Sequence, residues 1–198
     1  MRRVGVTGMG LVTPLGLGVA HKWQALLGGQ SGIRATQGFQ KVDLGSRISG
    51  QVPRGTDAPH LFNPDLFVPP KEQKKMSDFI IFGMAAAAEA LDDAGWHPSD
   101  EESLERTGVQ IGSGIGGLPD IYDTSIILHE KGPRRVSPFF IVSSLINLCS
   151  GQVSIKHGFK GPNHSAVTAC STGVHAIGDA SRLIALGDAD VMVAGGAE

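Results

Sequence analysis

The chain reads as apolar runs of two periods separated by small, turn-forming residues. Val4 to Thr7 predicts a short buried strand, and the Gly/Pro-rich stretch over 8–18 predicts a turn. Val19 to Leu27 is amphipathic at helical spacing, and Gly28-Gly29 stops it. Arg47 to Val52 alternates like a strand until Pro53. Residues 53–70 carry five prolines and few periodic apolar positions, which predicts a long surface excursion. The clearest helix is SDFIIFGMAAAAEALDDAG, with Ser77 placed to cap it and Gly95 to end it. Its apolar residues cover more than one face, so it is expected to be buried.

Thr107 to Ile111 then predicts a strand running into GSGIGGL. Leu118 to His129 and Ile141 to Lys156 read as helices, Ser165 to Ala169 as a strand, Ser171 to Leu186 as a helix, and Asp190 to Ala194 as a strand. Helices alternating with apolar strands imply an α/β layered sheet. The last strand, VMVA, is apolar at every position, as a strand covered on both faces would be. Only four residues follow it, so the chain is expected to be part of a longer polypeptide.

Composition narrows the classes. Of 198 residues, 41% are hydrophobic and 18% charged, enough apolar surface for a core. A net charge of -2 and 6% aromatic residues argue against nucleic acid. No stretch of about 18 apolar residues appears, so no membrane span is expected. MRRVGVTG lacks the apolar core of a signal peptide. Two cysteines, Cys149 and Cys170, make neither a disulfide framework nor a metal cluster, and a reducing, cytoplasmic compartment is expected. VTGMGLVTPLG lacks the third glycine of a dinucleotide loop, since Thr13 holds that place; GSGIGG at 112–117 lacks the GK[ST] of a phosphate loop. No cofactor and no metal are expected.

Cys170 sits where the strand over 165–169 would hand over to the helix over 171–186. Unpaired N–H groups and the helix dipole favour a thiolate there and could stabilise an oxyanion on an attacked thioester. The competing reading is a small buried hydrophobe. Cys149 lies inside an apolar helical pattern and reads as core. Gly173, Ala176, Gly178, Ala180 and Ala185 make the helix thin, and Val174, Ile177, Leu183, Ile184 and Leu186 surround it, so it is expected to be buried. Arg182, three residues after Asp179, suits a local ion pair. Seven histidines are present, and none stands at a spacing that pairs it with Cys170; His175, five residues on, points elsewhere.

TACSTGVHAIGDA followed by ALGDADVMVAGGAE resembles the active-site segment of the β-ketoacyl-acyl-carrier-protein synthases. MRRVGVTGMGLVTPLG, LLGGQSGI, KEQKKMSDFI, GSGIGGL, GPRRVSPFF and GQVSIKHGFKGPN look like the same family in matching order, closest to its long-chain elongating type. The resemblance implies the N-terminal half of a thiolase-like fold, an α-β-α-β-α layering completed by a second half. It implies that Cys170 takes an acyl chain from a carrier-protein thioester, and that the intact enzyme condenses it with malonyl-carrier protein, losing carbon dioxide, to give a 3-oxoacyl chain. It also implies that Ile115 and Phe140 line or gate the acyl pocket, and that Lys71, Lys74, Lys75, Arg134 and Arg135 dock the acidic carrier protein. The resemblance further implies a homodimer when intact and, since the family's mitochondrial form looks similar too, a mitochondrial compartment as the alternative. The family's catalytic histidines lie in the C-terminal half, and none of their motifs occurs here, so these 198 residues are expected to be inactive alone. The alternatives are an enzyme of this fold acting on coenzyme A esters, and a non-catalytic piece that binds a carrier protein or partner subunit.

Overall fold

The computed structural model describes residues 2–38, 43 and 45–198. In chain order, a small antiparallel hairpin of β1 (Val12–Thr13) and β2 (Gly16–Leu17) leads into α1 (Val19–Leu27). A second antiparallel pair follows, β3 (Ile33–Ala35) with β4 (Ile48–Gly50). Then come α2 (Pro70–Gln73), α3 (Asp78–Ala94), α4 (Glu101–Glu105), β5 (Thr107–Gly112), α5 (Leu118–Lys131), α6 (Phe140–Ser144), α7 (Leu148–His157), β6 (Asn163–His164), α8 (Thr172–Leu186) and β7 (Val191–Gly196). β5, β6 and β7 form a parallel sheet in the order β6-β5-β7.

Every residue of β5 is buried, and its two faces differ. Val109 and Ile111 enter the core with Phe79, Ile80 and Met84 of α3 and Cys149 and Val153 of α7. On the opposite face, Gly108, Gln110 and Gly112 alternate, and Gln110 Nε2 donates to Asp179 of α8 at 3.3 Å. A side chain at Gly112 would meet the Ala166 carbonyl at 2.1 Å and Thr172 at 2.3 Å. Gly173 of α8 likewise lies against Gly196 of β7. Small residues on both sides therefore let the first turn of α8 lie close to the carboxyl ends of the strands, where ligands bind in open parallel sheets.

Ser150 stitches this region together. Its buried hydroxyl accepts from the Ile111 N–H at 2.8 Å and donates to the His164 carbonyl at 2.8 Å, tying α7 to both β5 and β6. Ser150→Ala leaves a buried N–H unpartnered and is expected to cost about 1–3 kcal/mol, read as a lower denaturant midpoint at unchanged slope.

Several elements depart from the sequence reading. Val4 to Thr7 form no strand, and Val6 is 79% exposed. A strand needs a ladder partner, and here Met9 and Leu11 donate their N–H groups to the Asp93 and Glu89 carboxylates of α3 instead. The helix expected over 141–156 is two helices. Ser143 and Ser144 give their carbonyls to the N–H groups of Ser77 and Gly117, and Leu145 turns extended (ψ 139°). The proline-rich excursion is not all surface: Phe62 and Val68 are core residues, with Phe62 stacked on Phe67 and edge-on to Phe82. α3 keeps its expected bounds, ending at a left-handed Gly95, but the Ser77 hydroxyl bonds Asp120 rather than capping the helix. Only Thr172, Ala176 and Ala180 of α8 are buried, a stripe of small residues laid on the sheet. Val174 is 77% exposed, so the helix is not enclosed as its apolar circumference predicts: nothing among the described residues covers that side.

Candidate active site

The strand expected over 165–169 does not form: β6 ends at His164, and residues 165–168 make a bent approach to the thiol. Ser165 Oγ donates to the Ile111 carbonyl at 2.9 Å. Thr168 and Thr172 then clamp the turn: Thr172 Oγ1 accepts from the Thr168 N–H at 2.8 Å and donates to the Ala169 carbonyl at 2.7 Å. Ser171 Oγ donates to the Thr168 carbonyl at 2.6 Å. Between these clamps Ala169 has φ 52°, the positive-φ non-glycine residue of the described chain. That left-handed conformation is costly for alanine and persists only when its surroundings hold it. Its effect is to turn the chain sharply, so that Cys170 falls in a single 3-10 turn, Ala169–Ser171, directly ahead of α8. Cys170 is a free, exposed thiol. Cys149 is its opposite, a core thiol pushed up to about 12 by burial.

A cavity of about 320 Å³ opens beside this turn. Ile115, Ile121, Leu145, Ile146 and Val167 give it apolar walls, with Ser144, Asn147 and Ser165 at the polar positions. Ile115 is 54% exposed at its mouth. The break between α6 and α7 is what delivers Leu145 to Asn147 to the cavity. Phe140 stands at the start of α6 and is not among the lining residues; the same helix contributes Ser144 at its other end. Cys170 is also outside the lining, three residues beyond Val167.

The basic segments lie side by side. Lys75 Nζ sits 5.2 Å above the Phe139 ring, joining α2 to the loop after Arg134 and Arg135. Lys75 is half-buried and pairs with Glu72 at 2.9 Å, whereas Lys71, Lys74, Arg134 and Arg135 are exposed.

No histidine hydrogen-bonds the Cys170 sulfur among the described residues. His175 lies 3.2 Å from Thr168 Oγ1 through Nδ1 and 3.2 Å from Asp179 through Nε2. Asp179 thus pairs with His175 and Gln110 rather than with Arg182. The i,i+4 spacing of His175 and Asp179 was legible in the sequence.

One residue had no sequence signal beyond its position after an apolar strand. The Glu198 carboxylate accepts from the Ser113 hydroxyl, from the Gly114 N–H at 2.6 Å and from the Ile115 N–H at 3.1 Å.

Across residues 1–198 the sequence matches the family described as beta-ketoacyl synthase, N-terminal domain. The chain belongs to that family. It is 58% identical over its whole length to the 3-oxoacyl-acyl-carrier-protein synthase 2 of Rhizobium meliloti (strain 1021), of which it covers 47%. The chain thus spans about half the length of the curated relatives it matches. A crystal structure of a β-ketoacyl synthase from Burkholderia phymatum STM815 superimposes with a TM-score of 0.79 at 28% identity, over 98% of this chain and 46% of that one. A ketosynthase bound to a hexaketide, in complex with its type II polyketide acyl-carrier protein, superimposes at 0.76 with 25% identity, over 99% of this chain and 50% of that one. The architecture is therefore that of a thiolase-like β-ketoacyl synthase, N-terminal part. Among the described residues no helix is long and apolar enough to cross a membrane.

Proposed function

We propose that this chain is the nucleophile-bearing half of a 3-oxoacyl-acyl-carrier-protein synthase of the elongating type, and that a C-terminal half completes it. The observation that carries the reading is an exposed thiol clamped ahead of a helix, at the carboxyl edge of a parallel sheet and beside an apolar cavity. The Cys170 thiolate attacks the carbonyl of an acyl-carrier-protein thioester. The carrier's thiol leaves with a proton, and the acyl chain stays on Cys170. N–H groups at the head of α8 stabilise the oxyanion formed on the way. Malonyl-carrier protein then loses carbon dioxide, and its carbanion attacks the acyl-enzyme carbonyl. A carbon–carbon bond forms, the sulfur–carbon bond breaks, and the thiolate returns. The product is a 3-oxoacyl chain two carbons longer, still on its carrier.

The acyl chain lies in the cavity that Ile115 borders, with Phe140 acting through α6 rather than as a wall. Lys71, Lys74, Arg134 and Arg135 present exposed positive charge to an acidic carrier protein, with Lys75 holding the two segments together; the carrier-bound ketosynthase among its structural relatives supports a partner of that kind. The exposed apolar residues of α5, Leu118, Ile121 and Tyr122, support a homodimer in the intact protein. A free thiol nucleophile suits a reducing compartment, cytoplasmic or mitochondrial.

Incubating the full-length protein with acyl-carrier protein, and in parallel with the same acyl-coenzyme A, tests this reading. The acyl mass is expected on the peptide containing Cys170, faster from the carrier protein. Acylation of any other residue, or none, sinks the reading; preference for coenzyme A transfers it to the ester-using branch of the fold.

A further inference from the structure

The GSGIGG loop is held by a carboxylate that the condensation chemistry does not use. β7 pairs with β5 through Gly112↔Gly196, and the Ala197 N–H continues that register by donating to the Gly112 carbonyl at 2.9 Å. Ala197 is buried in the core. The ladder therefore sets Glu198 beside the loop that leaves β5. Three donors converge on its carboxylate: the Ser113 hydroxyl and the backbone N–H groups of Gly114 and Ile115. Successive N–H groups aimed at one anion form a nest, and charge-assisted bonds of this kind are about twice as strong as neutral ones.

The loop so held touches both parts of the site. A side chain at Gly114 would sit 3.4 Å from the Glu198 carboxylate and 3.5 Å from Ala169, the left-handed residue before Cys170. The next residue, Ile115, is itself a wall of the cavity, with Ile121, Leu145, Ile146 and Val167, and is 54% exposed. A half-exposed isoleucine in the wall of an apolar hollow gains by swinging further into it. Its backbone is tied back by Glu198, which opposes that movement.

We infer that Glu198 is a positioning residue for acyl-chain selection: it holds Ile115 back in the cavity wall rather than across the hollow, so that long chains can enter. This rests on the reading of the cavity as the acyl site. Glu198 touches no reacting atom, so its loss should move chain-length preference rather than the thiol chemistry.

The test compares wild-type, Glu198→Gln and Glu198→Ala full-length enzyme, with saturated acyl-carrier proteins of sixteen and six carbons as donors. In Glu198→Ala, kcat/KM is expected to fall about tenfold for the long donor and less than about twofold for the short one, mainly through KM. Glu198→Gln retains shape and one acceptor oxygen, and is expected to lie between. Iodoacetamide should label Cys170 at an unchanged rate in all three. An equal loss for both donors, or a slowed alkylation in Glu198→Gln, would mean a merely structural role and overturn the inference. So would an unchanged length profile in folded Glu198→Ala. Failure of the wild type to elongate either donor would instead strike the functional reading beneath it.

Discussion

Replacing Cys170 by alanine in the full-length enzyme is expected to abolish condensation, with a loss of at least about a thousandfold in kcat. The sulfur is the one atom that this reading asks to form a covalent bond, and no neighbouring hydroxyl can replace it at the same place. Ser171 points its oxygen at the Thr168 carbonyl, and Thr172 is spent on Thr168 and Ala169. The same bonds explain why the variant should fold normally. They hold the turn through residues 168, 169, 171 and 172, and Cys170 contributes no side-chain hydrogen bond to it. Iodoacetamide gives an internal control. Native protein should take up label at Cys170, and Cys170→Ala should take up almost none, because burial keeps the Cys149 thiol protonated, with its pKa at about 12. Residual activity within tenfold of wild type would refute Cys170 as the nucleophile.

These 198 residues purified alone are expected to yield no 3-oxoacyl product, even where the thiol becomes acylated. Acyl transfer needs a nucleophile and an oxyanion site, and both can be supplied by the head of α8. Decarboxylation creates a carbanion as well, which needs donors aimed at the developing enolate. Four histidines have other partners: His175 meets Thr168 and Asp179, His97 meets Asp92, and His21 stacks on His60. Mass spectrometry of carrier-bound products, with acyl- and malonyl-carrier proteins supplied together, measures this directly. Any condensed product above a no-enzyme blank would show that the machinery is already present in this stretch. The uncovered apolar side of α8 adds a practical expectation, since such a surface favours association of the isolated chain.

The sequence made the regular elements legible where local chemistry and tertiary packing agree. α1 and α3 begin and end where glycines and apolar spacing place them, and β5 differs by one residue. The misreadings share a cause: each depended on a partner far along the chain. Val4 to Thr7 have strand composition, yet just beyond them the Met9 and Leu11 N–H groups find carboxylates on α3. The helix over 141–156 is continuous by periodicity, but distant N–H groups claim its carbonyls. Phe62 reads as loop because prolines surround it, and periodicity cannot report a lone side chain reaching into the core. At the site, the position of Cys170 before a helix was readable from local composition. The left-handed Ala169 was not, because alanine carries no sign of that conformation and the threonine clamps impose it. Glu198 escaped for the same reason: its three donors lie over eighty residues earlier.

Phe62 has a consequence for anyone trimming this protein. The proline-rich excursion looks like the natural place for a deletion, a tag or a protease cut. Yet its aromatic plug fills a socket under the Arg54 guanidinium, against Phe67 and Phe82. Excising the segment would take Phe62 and Val68 out of the core together, and one large-to-small loss at a phenylalanine alone costs about 3–5 kcal/mol. Insertions are safer at Gly29, where the chain turns in open solvent.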